Sequence, residues 1–344
     1  MQTRRTLLKS GVAALGVTLA MPASARANDP IPVVATFSIL GDMVARIGGE
    51  HVALTTLVGP NGDTHVFQPT PADAQAVADA KILFVNGLEF EGWLDRLVDA
   101  SGFQGTRVVA TDGIEPIPFD AGGHDEHEHD ERGENDVHAE SEHGHGDDRG
   151  EDHGEERAEA DGRDHHDHGV FDPHAWQSLR NAAIYAANIA KALAEADPQN
   201  AAAYEQNRAA YVAEIEALDA EIRTTLAALP ADRRTIVTSH DAFQYFGHDY
   251  GLTFLAPQGL STESEASAKD VARLIERIRK EKISAVFVEN ITDRRLLEQI
   301  ARETGASIGG TLYPGALSGP DGPSPTYLDM MRHNAATLAQ ALSS

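Results

Sequence analysis

The 344-residue sequence contains no cysteine. Disulfides and thiolate ligands are therefore excluded, and any metal must be held by nitrogen and oxygen donors. The same absence removes the lipid-modified cysteine that would tether an exported protein to a membrane. Basic residues are scarce as well: 28 Lys and Arg stand against 54 Asp and Glu, a net charge of −26. A chain so acidic lacks the basic face that nucleic acid requires and does not dock on anionic lipid. Cations are its natural partners. Aromatics make up only 6% of a chain that is 41% hydrophobic, a composition that suits an α/β fold. The zinc-protease motif H-E-x-x-H is also missing.

What is present begins with an export signal. Thr3-Arg4-Arg5-Thr6-Leu7-Leu8-Lys9 has the twin-arginine pattern, followed by the apolar run GVAALGVTLAM and then Ala25-Arg26-Ala27. A basic region, a short hydrophobic region and a small-residue cleavage site stand in that order. The run is too short to remain as a membrane anchor. Residues 1–27 are expected to be a signal peptide cleaved after Ala27, leaving a periplasmic protein with no anchor. Cleavage removes Arg4, Arg5, Lys9 and Arg26 and no acid, which takes the net charge from −26 to −30.

From Ile31 onward, apolar strand-like runs alternate with helix-like ones: PVVATFSIL, VALTTLV, ILFVNG and RVVATDG are separated by helical segments. Strands that are apolar throughout and spaced by helices imply a parallel sheet covered on both faces. The rhythm resumes with TIVTSH, LTFLAPQG, ISAVFVEN and ASIGGTLY. The expected fold is α/β: two Rossmann-like lobes, residues 28–176 and 231–344. A long helical stretch, 177–230, joins them, with an interruption at Asp197-Pro198.

Residues 120–168 break the pattern. They hold ten histidines and twenty Asp and Glu against four arginines. So few apolar side chains cannot offset the entropy of ordering the chain, so a disordered insertion is expected, one that collects divalent cations weakly at many sites.

Three other histidines stand at junctions of predicted elements, His65 after a strand, His174 where the first lobe hands over to the long helix, and His240 at the end of a strand. His65 lies in Asn61-Gly62-Asp63-Thr64-His65-Val66-Phe67-Gln68-Pro69-Thr70-Pro71, a turn stiffened by two prolines. His174 lies in Asp172-Pro173-His174-Ala175-Trp176, and His240 ends TIVTSH. Strand ends of two α/β lobes converge on the crevice between them. Three imidazoles without thiolates suit Zn²⁺ better than Mg²⁺ or Ca²⁺. His51, His248 and His333 have polar helical or turn neighbours and are read as surface or packing residues. Trp176 and Phe243 are read as packing around the site, and Glu263 and Glu265 as complementing a helix N-terminus.

The pattern resembles the metal-specific solute-binding proteins of ABC transporters, the zinc and manganese group. The resemblance rests on Gly62-Asp63-Thr64-His65 with Pro69 to Pro71, Asp172 to Trp176, and Thr238-Ser239-His240-Asp241-Ala242-Phe243 with Tyr245-Phe246. Val286 to Asn290 and Tyr327 to Asn334 extend it. It implies two lobes bridged by a rigid helix and a metal held by His65, His174 and His240. It also implies a membrane permease as partner, with a periplasmic metallochaperone as a further candidate, a monomeric state, and a carrier in place of an enzyme. Manganese binders resemble one another in carrying a carboxylate where this chain has His240, so the resemblance favours Zn²⁺ over Mn²⁺. Many relatives add an aspartate where this chain has Gly315, which leaves the fourth position to water, Asp321 or Glu289. The alternatives are a periplasmic zinc buffer without a permease and, from a different class, a three-histidine zinc hydrolase. With neutral imidazoles as ligands, binding is expected to weaken below about pH 6.

Overall fold

A computed structural model describes residues 29–119 and 171–343. The expected signal peptide and the histidine-rich insertion lie outside these residues. The chain begins with β1 (Ile31–Phe37), α1 (Ser38–Gly48), β2 (Val52–Val58), α2 (Pro71–Asp79), β3 (Ile82–Val85), α3 (Leu94–Ser101) and β4 (Thr106–Val109). These four strands are all parallel, in the order β2-β1-β3-β4. Val33, Val34, Ala35 and the whole of β3 are buried, as a sheet covered on both faces requires. Thr70 caps α2 in a reciprocal capping box with Asp73, and Pro71 fills the first helical position.

The second half repeats the plan with β5 (Thr235–Val237), α6 (Gln244–Tyr250), β6 (Thr253–Leu255), α7 (Ala268–Glu281), β7 (Ala285–Glu289), α8 (Arg295–Thr304), β8 (Ser307–Leu312) and α9 (Tyr327–Leu342). Its sheet order, β6-β5-β7-β8, has the same form and is again parallel. In both sheets the order reverses beside the first strand, the switch point at which such folds hold ligands.

Two expectations change in detail. The run PVVATFSIL is not all strand: Ser38, Ile39 and Leu40 already belong to α1 and are buried there. An unbroken apolar run has no periodicity to separate a buried strand from a buried helix. The stretch 177–230 is not a single rod. α4 (Leu179–Ala196) and α5 (Ala201–Ala227) pack against each other around Asp197, whose carboxylate accepts from Asn200 and from the Tyr204 hydroxyl. α4 lies against α1, β3 and β4, whereas α5 touches α1 of the first half and α6 and α9 of the second. With 27 residues, α5 is on the order of 40 Å long, and it is the element that spans both halves.

One apolar core runs from β1 through α4, α5 and α6 to Leu342. A smaller one, with Val237, Ile275, Ile278, Val286 and Leu297, fills the outer face of the second sheet under α7 and α8. The continuous core makes the two lobes one packed body rather than beads on a linker.

Candidate metal centre

The loop after β2 delivers His65. Asn61 adopts left-handed backbone (φ 56°), a conformation asparagine tolerates. A Cβ on Gly62 would meet Val58 Cγ1 at 2.7 Å. Asp63 then accepts from the His65 backbone N–H (3.0 Å) through one oxygen and from the Thr262 hydroxyl (2.6 Å), in the second half, through the other. The Trp93 indole donates to the Thr64 carbonyl at 2.8 Å. The loop is thus held from both sides.

His174 follows Asp172-Pro173. The Pro173 carbonyl accepts from the Asn86 amide at 2.9 Å, and Asn86 in turn accepts from the Tyr185 hydroxyl. Asp172 Oδ1 accepts from both the backbone N–H (2.9 Å) and Nδ1 (2.8 Å) of His174. His240 lies three residues beyond β5 in a buried, non-helical loop, since α6 starts only at Gln244. Glu289, the last residue of the neighbouring strand β7, accepts from the backbone N–H groups of Ser239 (3.0 Å) and His240 (3.2 Å). Its second oxygen takes His240 Nδ1 at 2.6 Å.

The three sequence-expected histidines come together. One ring nitrogen from each lies within 4.8 Å of the others, and His65 Nε2 is 3.4 Å from His174 Nε2. Two Zn–N bonds of about 2.05 Å at the tetrahedral angle set their nitrogens about 3.3 Å apart, so this pair already has zinc-like spacing. His174 and His240 are fully buried and His65 is 8% exposed. Carboxylates fix Nδ1–H on His174 and His240, which turns the Nε2 lone pairs inward. His240 Nε2 is buried and has no hydrogen-bond partner among the described residues, as befits a nitrogen reserved for a cation. Phe90 packs edge-on to His65 (4.9 Å), and Trp176 stands 5.3 Å from His174.

The electrostatics divide the histidines. Burial, reinforced by His174 and His240, holds His65 down at about 2. Burial also holds His174 well below its ordinary value. For His240 burial pulls downward too, but the Glu289 charge and hydrogen bond outweigh it, and the net shift is upward. Burial pushes the Asp172 carboxyl up to about 7.

Neither carboxylate named as a fourth ligand joins the group. Glu289 spends both oxygens on His240 and its loop and so orients a ligand instead of being one. Asp321 is exposed in the turn after β8 and is absent from the cluster. Gly315 is buried beside the site; a Cβ there would find Ile291 Cδ1 at 3.7 Å and Trp176 Cζ2 at 3.9 Å. His51 packs against Tyr204, His333 donates to the Thr311 carbonyl, and His248 faces solvent, in keeping with packing or surface roles. Phe243 is buried and stacks on Phe254. Ser267 and Asp270 cap α7, so Glu263 and Glu265, exposed upstream of that cap, do not. The orienting roles of Asp172 and Glu289 were not apparent beforehand. Asp172 carries a local signal, two residues before His174 across a proline. Glu289 becomes legible only once β5 and β7 are known to be neighbours.

The chain has relatives. The family ZnuA, described as the periplasmic component A of a zinc-uptake complex, matches residues 33–341. The chain is 32% identical to the iron-binding protein YfeA of Yersinia pestis over 308 residues, 90% of this chain and 85% of that protein. It is 29% identical to the manganese-binding lipoprotein MntA of Halalkalibacterium halodurans, over 92% of this chain and 90% of that one. Among solved structures, the Mn-bound periplasmic metal-binding protein of Candidatus Liberibacter asiaticus aligns with TM-score 0.70 at 31% identity, covering 90% of this chain and 98% of that chain. The periplasmic zinc-binding protein TroA of Treponema pallidum aligns with TM-score 0.73 at 26% identity, covering 91% and 99%. The chain belongs to this family, the metal-binding solute-binding proteins of ABC transporters, which are carriers of metal ions and not enzymes.

Proposed function

We propose that the chain is a periplasmic zinc carrier that holds Zn²⁺ through His65, His174 and His240 and delivers it to the membrane permease of an ABC importer. The metal is cargo. Relatives are named for iron, manganese and zinc, so the reading of zinc here is drawn from the ligands of this chain. The supporting observation is a group of three buried imidazoles with no carboxylate among its members. Nitrogen donors favour zinc over manganese by charge, softness and position in the Irving–Williams order. Zinc also accepts three protein ligands plus one water, which suits a chain with Gly315 where relatives place an acid. Export by the twin-arginine signal and release after Ala27 complete the reading. Competition between Zn²⁺ and Mn²⁺ on the metal-stripped protein tests it. Zinc is expected to displace manganese at a one-to-one site, and retention of manganese against equimolar zinc would overturn the assignment.

The histidine-rich insertion serves this site by raising the local zinc concentration, an effect of tethering that needs no fixed geometry. Titration calorimetry on a variant lacking residues 120–168 is expected to keep one tight site and lose several weak ones. If the tight site disappears with the segment, the interlobe assignment fails.

Binding is expected to depend on pH through His240. His65 and His174 are held neutral, but in the metal-free protein Glu289 holds His240 above its ordinary 6.5. A metal must displace that proton. Affinity is therefore flat above the raised His240 value and falls about tenfold per pH unit below it, one proton per metal. The decline begins above 6.5 rather than near 6. Zinc titrations in buffers of different ionisation enthalpy check this by counting the proton released.

A further inference from the structure

His174 and His240 are far apart in sequence and come from different halves of the chain, yet their rings sit 5.4 Å apart, centroid to centroid. Something must set that spacing. The short helix α6 begins four residues after His240 and presents two side chains, Tyr245 and Asp249, at i and i+4 on one face. The Tyr245 hydroxyl donates to the Asp172 carbonyl and accepts from the Ile117 backbone N–H, both at 3.1 Å. The Asp249 carboxylate accepts from the Ser178 hydroxyl at 2.6 Å. These anchors lie two residues before His174 and four residues after it. Tyr245 is 3% exposed, and burial pushes its phenol up to about 12, so the hydroxyl keeps its proton. The Asp172 N–H donates to the Ile117 carbonyl at 2.9 Å, so Tyr245 grips both strands of a paired segment rather than a loose loop.

We infer that α6 is a spacer between two ligands, with Tyr245 and Asp249 as positioning residues that fix the His174 segment relative to His240. Neither touches the metal. Tyr245 acts through Asp172, whose carbonyl it holds and whose carboxylate holds the His174 ring, and Asp249 acts through Ser178 on the other side of His174. The inference rests on the three-histidine reading of the site.

The test is Tyr245→Phe in the mature protein, with Co²⁺ as spectroscopic probe and zinc affinity measured by chelator competition. Loss of the phenol is expected to weaken zinc about tenfold, the low end for an outer-sphere partner, with one-to-one stoichiometry retained. The Co²⁺ visible bands should shift as the ligand spacing relaxes, a change that a general loss of stability does not produce. Ser178→Gly, which releases the other anchor at little cost to the α4 cap, is expected to shift them in the same way. Tyr204→Phe removes a comparable buried hydroxyl bond at the α4–α5 turn and should leave affinity and bands unchanged. Wild-type affinity and bands in both Tyr245→Phe and Ser178→Gly would overturn the spacer role while leaving the site intact. A wild-type protein that binds neither zinc nor Co²⁺ at the histidines would overturn the underlying reading instead.

Discussion

Replacing His174 with alanine is expected to weaken zinc binding about a thousandfold. A zinc site of a few protein ligands binds with about 10–16 kcal/mol, roughly 3–5 kcal/mol for each of three ligands, and 1.4 kcal/mol is a factor of ten. Among the described residues, His174 is also the only group that satisfies Asp172 Oδ1 through a side chain. Its loss leaves a carboxylate in a fully buried position with one hydrogen bond fewer, which costs about 1–3 kcal/mol of folding stability. The two effects separate experimentally: chelator competition reads the first, and thermal melting of the metal-free protein reads the second. His65→Ala is the matching control. His65 is slightly exposed and its ring carries no carboxylate partner, so that variant should lose affinity by a similar factor and melt close to wild type. Near-native affinity in either variant contradicts the ligand set.

Glu289→Gln has the next largest effect. Glu289 accepts three hydrogen bonds, two from backbone and one from His240 Nδ1. A glutamine has one carbonyl oxygen for them and brings an NH₂ that faces donors. His240 then loses its orienting partner and its more basic character, which is expected to cost about 10- to 100-fold in zinc affinity at pH 8. The pH profile moves as well. With the carboxylate gone, burial is opposed only by the lesser charges of Asp63 and Asp241, so the His240 value falls and the onset of weakening shifts to lower pH. If Glu289 were itself a metal ligand, its replacement would change the coordination shell seen by X-ray absorption. An orienting residue leaves the first shell at three nitrogens plus oxygen from water.

Much of this architecture could be read from the sequence because the strands are short, apolar and bounded by turn residues. VALTTLV became β2 with the same limits, and ILFVNG became β3 with only Asn86 and Gly87 left to the following loop. Ser38 to Leu40 were misplaced because a fully buried run looks alike as helix or strand. The helical stretch 177–230 was recognisable, but its folding back on itself was not. Asp197-Pro198 marks a break and says nothing of direction; α4 turns back because its apolar face, with Tyr185, Ile189 and Leu193, fits α1 and β3. The three histidines were legible because each stands in a short turn-rich segment between predicted elements, His65 and His240 in the loops that follow β2 and β5, and parallel strands carry such loops to one edge. Their orienting groups were not. Glu289 reaches His240 across 49 residues, and Tyr245 reaches Asp172 across 73, contacts fixed by strand order and helix packing.

The central claim is that zinc sits between the lobes on Nε2 of His65, His174 and His240. The most direct measurement is a crystal structure of the mature, zinc-loaded protein with anomalous data on both sides of the zinc edge. The predicted result is one strong zinc peak within about 2.1 Å of all three nitrogens, with Glu289 and Asp172 still on the Nδ1 atoms. A peak elsewhere, or one on a carboxylate in place of His240, would contradict it.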